Sequence, residues 1–383
     1  MILRHLSAGA RNSDVQGPHP LELFPEEIVG VLASMGEPPF RARQLFGWMH
    51  VRGTLTFERM KNLPPALRRR LSDSFPEPAT VEQSLSSEDG TRKAVVRFPD
   101  GAAVETVIMP TTKPGIVTQC LSTQVGCAMG CVFCHSGIAG LARNLSAAEI
   151  LVQVVLARSL LRPGERLGGA VYMGMGEPLH NYDAVVRSVR LLGHPEGAHI
   201  SPRRITISTV GLVPEIVRLG KDLGGKVGLA VSLHAGSAET RRKLLPIDRR
   251  YPIEEVVRAI SNWPIAPRRR VTIEYTLVQG VNDDLTEADR LARLLRGLPV
   301  KINLIPLNTH EGTVLGPPPE SGVSEFQERL AAAGLSVFVR RQRGGDIAAA
   351  CGQLALRGDA PARRRPPRID GSASVARMPR PGE

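Results

Sequence analysis

The chain has 383 residues, 42% of them hydrophobic, enough to bury a core of barrel size with an appendage. No apolar run approaches the ~20 residues that a membrane helix needs, and Met1 to Pro20 lacks the apolar stretch of a secretory signal; both argue against a membrane or secreted protein and for a cytoplasmic one with reduced thiols. The formal charge of +12, from 49 Lys and Arg against 37 Asp and Glu, suggests a polyanionic partner such as nucleic acid, although an Arg-rich proteome would give the same excess.

Residues 1–20 carry no periodic pattern and are expected to be disordered. Residues 21–78 read as a small helical domain with basic faces. Pro25-Glu26-Glu27 opens an apolar-periodic stretch, and Arg43 to Met49 and Pro65 to Leu71 follow as further helices. Residues 79–114 read as a linker built on a hairpin. Ala94 to Phe98 and Val104 to Ile108 are β-rich runs flanking Pro99-Asp100-Gly101, and Glu105 lies on the second. From residue 115 to 356, short Val- and Ile-rich runs alternate with amphipathic stretches. The strand candidates are 116–122, 169–174, 204–209, 227–233, 271–278 and 301–306; the helix candidates are 147–161, 182–192, 212–223, 252–262 and 286–298. This pattern predicts a partial (β/α)6 barrel with a parallel sheet. A helix at 323–333 and a strand at 336–340 are expected to follow, then a basic, disordered tail over 357–383.

Only five cysteines are present: Cys120, Cys127, Cys131, Cys134 and Cys351. Cys127, Cys131 and Cys134 form C-x3-C-x2-C in the loop after the first barrel strand. Three thiolates at this spacing can each take one corner of a cubane [4Fe–4S] cluster, whereas structural zinc prefers four protein ligands. The fourth iron is then open to the amino and carboxylate groups of S-adenosylmethionine (SAM), whose reductive cleavage gives a 5′-deoxyadenosyl radical. Phe133, just before the last cysteine, offers the adenine of SAM a stacking surface.

Further candidates for SAM contacts recur at the strand ends. Gly176 and Glu177 follow the second strand; the glycine permits close backbone approach and the carboxylate can accept from an ammonium. Ser208 ends the third strand, Ser232-Leu233-His234 the fourth, and Asn308 follows the sixth. Each alone is as well explained as a cap or turn residue. One per strand end, they form a ring of ligand contacts.

These segments resemble the RlmN/Cfr family of radical SAM RNA methyltransferases from about Leu21 to Leu356. The resemblance is carried by Val104 to Val107, Cys120 to Cys127, Gly174 to Leu179, Val231 to Ala235, Asn303 to Asn308 and Asp346 to Leu354. It implies methylation of an adenine in 23S rRNA and also in tRNA, at C2 or, in the alternative, at C8; the other alternative is a radical SAM enzyme with another substrate. It implies two SAM molecules per turnover, one the methyl donor and one the radical source, and an electron donor such as flavodoxin or ferredoxin. A monomer is expected. Cys351 would carry the methyl, Cys120 would resolve the adduct through a transient disulfide with Cys351, and Glu105 would take a proton from the adduct. On this reading the Cys120 thiol is expected to have its pKa lowered near the cationic substrate complex, which its attack requires. Two segments depart from the family pattern: His135-Ser136-Gly137, and Thr309 to Gly316.

Overall fold

A computed structural model describes residues 17–309 and 313–354. The remaining N-terminal segment, residues 310–312 of the departing loop and the basic tail lie outside the described residues.

The N-terminal part packs three helices, α1 (Pro25–Ser34), α2 (Phe40–Phe46) and α3 (Pro65–Ser74). Proline opens α1 and α3, where a missing N–H costs nothing. Ile28, Leu32, Leu45, Phe46, Leu67 and Leu71 are buried between them. The unit is bolted to the rest by polar contacts: the Glu22 carboxylate accepts from Ala148 N–H at 3.1 Å, and Arg158 donates to the carbonyls of His50 at 2.7 Å and Val51 at 2.8 Å.

Among the described residues twelve strands follow: β1 (Thr80–Ser86), β2 (Arg92–Arg97), β3 (Ala103–Pro110), β4 (Ile116–Cys120), β5 (Gln124–Gly126), β6 (Leu141–Asn144), β7 (Arg166–Tyr172), β8 (Ile205–Thr209), β9 (Gly228–Ser232), β10 (Val271–Leu277), β11 (Val300–Pro306) and β12 (Val337–Val339). Ten form one sheet in the order β1-β2-β3-β4-β7-β8-β9-β10-β11-β12. From β4 to β12 every pairing is parallel, as expected for βα units. The helices between these strands are α4 (His135–Ala139), α5 (Ala147–Ala157), α6 (Tyr182–Leu192), α7 (Val213–Leu223), α8 (Ala238–Leu244), α9 (Ile253–Ser261), α10 (Leu285–Leu294) and α11 (Glu320–Ala332). In α9, Ile253, Val256 and Ile260 are buried while Glu254, Glu255 and Arg258 lie on the outer side, the stripe that seats a helix on a sheet. The start of α5 is closed by a capping box, with Ser146 Oγ accepting from Glu149 N–H at 3.1 Å and Glu149 accepting from Ser146 N–H at 2.8 Å.

The hairpin is not a separate layer. β3 pairs antiparallel with β4, so β1, β2 and β3 extend the barrel sheet edgewise. Val107 lies opposite Cys120, and Glu105 opposite Val95. Because side chains alternate along a strand, Glu105 and Val107 share a face, and Cys120 shares it too. The other face carries Thr106 and Gln119, joined at 2.9 Å, with Gln119 also donating to the α5 carbonyl of Gln153 at 2.9 Å.

Candidate functional site

Glycines in the left-handed region let the cluster loop and the loop after β7 pack closely on β5 and β6. Gly126 has φ 75°, and a Cβ there would lie 1.8 Å from the Gly140 carbonyl oxygen. That closeness lets Cys127 N–H donate to the same oxygen at 3.0 Å and closes the small β5–β6 hairpin around the loop. Gly176 has φ 102°, and a Cβ would meet Gln124 at 2.6 Å. Cys127 and Cys131 are buried and Cys134 half-buried. Val132 N–H donates to Leu244 O at 3.1 Å, pinning the loop on α8.

Burial pushes all three thiols upward, and their mutual repulsion pushes Cys131 and Cys127 further. Thiolates gathered so closely in a low-dielectric site need a cationic partner, and an iron cluster supplies one. Among the described residues no three His, Cys, Asp or Glu side chains converge on a single-ion site. A cubane takes its thiolates at separate corners, so its ligands stand further apart than those of one ion. Beneath the loop lies a fully buried ion pair, Arg241 to Asp248 at 2.8 Å, whose arginine also donates to Tyr251 O at 3.2 Å.

Above the strand ends is a cavity of about 160 Å³. Gly176, Glu177, Ser208, Ser232, His234 and Asn308 all line it, together with Phe133, Cys134 and Cys351. Leu233 does not; it is fully buried, with its N–H donating to Glu274 O at 3.1 Å. Glu177 is already engaged, its carboxylate accepting from Leu179 N–H at 3.0 Å and Val210 N–H at 2.9 Å. Burial raises its pKa to about 7 against those amide bonds. It therefore staples two strand-end loops together as well as facing the cavity. His234 sits at φ 56°, its Nδ1 accepting from Thr276 N–H at 2.9 Å. Burial, then the Arg241 guanidinium, lowers its pKa to about 3. The imidazole is thus neutral, with its remaining proton on Nε2. Phe133 meets it edge-on at 4.9 Å between ring centroids.

Cys351 lies on a loop strapped across this end of the barrel. Asn308 Nδ2 donates to Cys351 O at 3.1 Å, His135 N–H to Gly352 O at 2.9 Å, and Ser136 Oγ to Leu354 O at 2.7 Å. The departing residues after Cys134 are thus used to hold the strap. The Cys351 residue is exposed at the loop surface. The protein mass around its sulfur nevertheless displaces water and pushes the thiol to about 11, with the Glu274 carboxylate adding to the shift and Cys134 contributing. Cys120, at the end of β4, is buried. Burial, and then the Cys351 thiolate, drive its pKa upward. In the free protein the Cys120 thiol is thus held protonated. Glu105 is 3% exposed and ion-paired to Lys93 at 2.8 Å, a buried carboxylate on a hairpin strand.

Sequence reasoning missed Glu274, Lys93 and the Arg241–Asp248 pair. Glu274 lines the cavity, accepts from Asn303 Nδ2 at 2.9 Å and has its pKa raised by burial. The available signal was a charged residue inside an apolar strand run.

A profile described as the radical SAM superfamily matches residues 121–292, and one described as the ribosomal RNA large subunit methyltransferase N-terminal domain matches residues 21–75. A dual-specificity RNA methyltransferase RlmN of Sorangium cellulosum is 53% identical, covering 91% of this chain and 98% of its own length. This chain belongs to the RlmN family of radical SAM RNA methyltransferases. An RlmN of Anaeromyxobacter dehalogenans is 46% identical over 87% of the chain and 90% of its own length. The solved structure of a radical SAM methyltransferase from Sphaerobacter thermophilus superposes with a TM-score of 0.84 at 45% identity, covering 87% of this chain and 98% of the other. Membership of the RlmN family gives the enzyme a [4Fe–4S] cluster and SAM as cofactors. No helix among the described residues is long and apolar enough to cross a membrane.

Proposed function

We propose that this enzyme methylates C2 of an adenine in 23S rRNA and in tRNA, with Cys351 as methyl carrier. The observation that carries this reading is that Cys351 and the cluster cysteine Cys134 line the same cavity at the strand ends. The Cys351 thiolate also raises the pKa of the buried Cys120. A carrier needs both neighbours, one at the radical source and one able to release it.

Cys127, Cys131 and Cys134 hold the cluster, which when bound supplies the electron that cleaves SAM to the 5′-deoxyadenosyl radical. Gly176, Glu177, Ser208, Ser232, His234 and Asn308 line the SAM site, and buried Leu233 sits between Ser232 and His234 beneath it. Neutral His234 presents an Nε2–H donor, and Glu177 braces the rim. Cys351 would take its methyl group from one SAM, S-adenosylhomocysteine leaving, and that methyl would then lose a hydrogen to the radical drawn from a second SAM. Once the resulting carbon has added to the base, Glu105 would accept the C2 proton while the adduct's unpaired electron returns to the oxidised cluster. The Cys120 thiolate would then attack the Cys351 sulfur, forming a transient disulfide and breaking the S–CH2 bond, and the departing carbon takes a proton to complete the methyl group of the released RNA. Residues 21–78 act as the RNA-docking domain. Arg52 lies over the Trp48 ring at 4.0 Å and Arg41 over the exposed Phe40 at 4.7 Å, a surface of cations and π faces suited to RNA. The enzyme works as a cytoplasmic monomer with a flavodoxin or ferredoxin as reductant.

The test is an anaerobic reaction with methyl-deuterated SAM on rRNA and tRNA, followed by digestion and mass spectrometry. Label on C2 of adenine in both RNAs is expected. Label on C8 would overturn the position, and unlabelled tRNA would overturn the second substrate.

A further inference from the structure

Lysine is almost never buried without a partner. Lys93 on β2 is 8% exposed, and its Nζ has two partners: Glu105 Oε1 at 2.8 Å and the carbonyl oxygen of Ala348 at 3.1 Å. The first is the carboxylate read above as proton acceptor. The second belongs to the strap that carries Cys351 three residues on. Lys93 lies opposite Val107 and Glu105 opposite Val95, a diagonal pair on the face shared with Cys120.

We propose that Lys93 is a positioning residue that fixes the Glu105 carboxylate relative to the Cys351 strap and holds it in its ionised form. Ala348 sits at φ 49°, a left-handed conformation that an alanine adopts only when its surroundings impose it. The strap has other anchors on the hairpin, Ser87 Oγ to Asp346 at 2.6 Å and Gly344 N–H to Asp89 at 3.1 Å. A buried ammonium adds what they lack, a positive charge that reaches the acid and the carrier loop at once. When the C2–H bond breaks, its electron pair stays in the ring, its proton moves to a Glu105 oxygen, and the adduct's unpaired electron would return to the oxidised cluster. An ionised carboxylate held at fixed reach of the carrier carbon is what that transfer requires.

This inference rests on the assignment of Glu105 as proton acceptor, and the experiment separates the two. Release of RNA from the covalent protein–RNA species is timed on denaturing gels for wild type, K93M, K93R, E105Q and K93M/E105Q. In parallel, iron content, 5′-deoxyadenosine formation and methylation of the Cys351 peptide are measured. K93M is expected to retain these three properties and to slow release by about tenfold or more. K93R should recover part of the rate, a rescue that a purely apolar packing role would not give. K93M/E105Q should be no slower than E105Q alone, since both act on one step. Wild-type release by E105Q would overturn the role of Glu105. Slow release by E105Q with wild-type release by K93M would overturn the role of Lys93 alone. Should K93M fail to fold, K93Q keeps a donor for Ala348 O without the charge; slowed release by folded K93Q supports the proposal, and wild-type release overturns it.

Discussion

Val210 donates its backbone N–H to the Glu177 carboxylate at 2.9 Å, tying the loop after β8 to the loop after β7. The other Glu177 oxygen takes Leu179 N–H at 3.0 Å. In Glu177→Gln one of these amides would face an NH2 group. Leaving a buried donor unpaired costs about 1–3 kcal/mol. A lower melting temperature together with weaker SAM binding is expected; an unchanged melting temperature would show that the staple does not bear on stability.

Cys120 and Cys351 should behave oppositely when replaced. In Cys120→Ala the carrier is still methylated and still adds to the base, but no thiol attacks the Cys351 sulfur. A protein–RNA adduct should persist on a denaturing gel. In Cys351→Ala no adduct should appear. Free methylated RNA from both variants would exclude a cysteine carrier.

His50 is buried against Phe46, with ring centroids 4.1 Å apart, and burial followed by the Arg158 guanidinium lowers its pKa to about 3. The unfolded chain protonates this residue near 6.5, so between these values the unfolded state binds more protons. Stability then rises with pH across that window and falls on acidification. The loss from pH 7 to pH 5 is about 2 kcal/mol from this residue. Denaturant melts at the two pH values should show a smaller difference in His50→Leu than in wild type; equal differences would remove His50 as the cause.

RNA affinity should fall steeply with salt, because arginine–phosphate contacts release condensed counterions. The +12 charge motivates this. Titrations at low and moderate ionic strength measure the slope, and a flat response would assign recognition to uncharged contacts.

The barrel was legible because its strands are short runs of β-branched residues between amphipathic helices, and α6 falls on the expected 182–192. β1 was not, because Thr80–Ser86 is polar and almost entirely exposed, an edge with no apolar alternation to read. Helix α8 was missed because Arg241, Arg242 and Lys243 in Ala238–Leu244 read as surface, yet Arg241 is fully buried on Asp248. The C-x3-C-x2-C loop announces its chemistry by spacing alone. Cys351 has no such local signal; its meaning came from family resemblance, and the strap that carries it is held by contacts such as that of Ser136 with Leu354, 218 positions apart. Lys93 and Glu105 each look like solvated hairpin charges until the edgewise pairing of β3 with β4 buries them.

That 218-residue span also orders events in time. Synthesis runs from the N-terminus, and domains tend to fold as they emerge. The cluster loop and the strands beneath it are complete well before residues 344–354 leave the ribosome. The radical-generating half of the site can therefore exist first, with the strap closing over it afterwards. A chain cut short before the strap would keep the three cluster thiols and lack the sulfur that receives the methyl group.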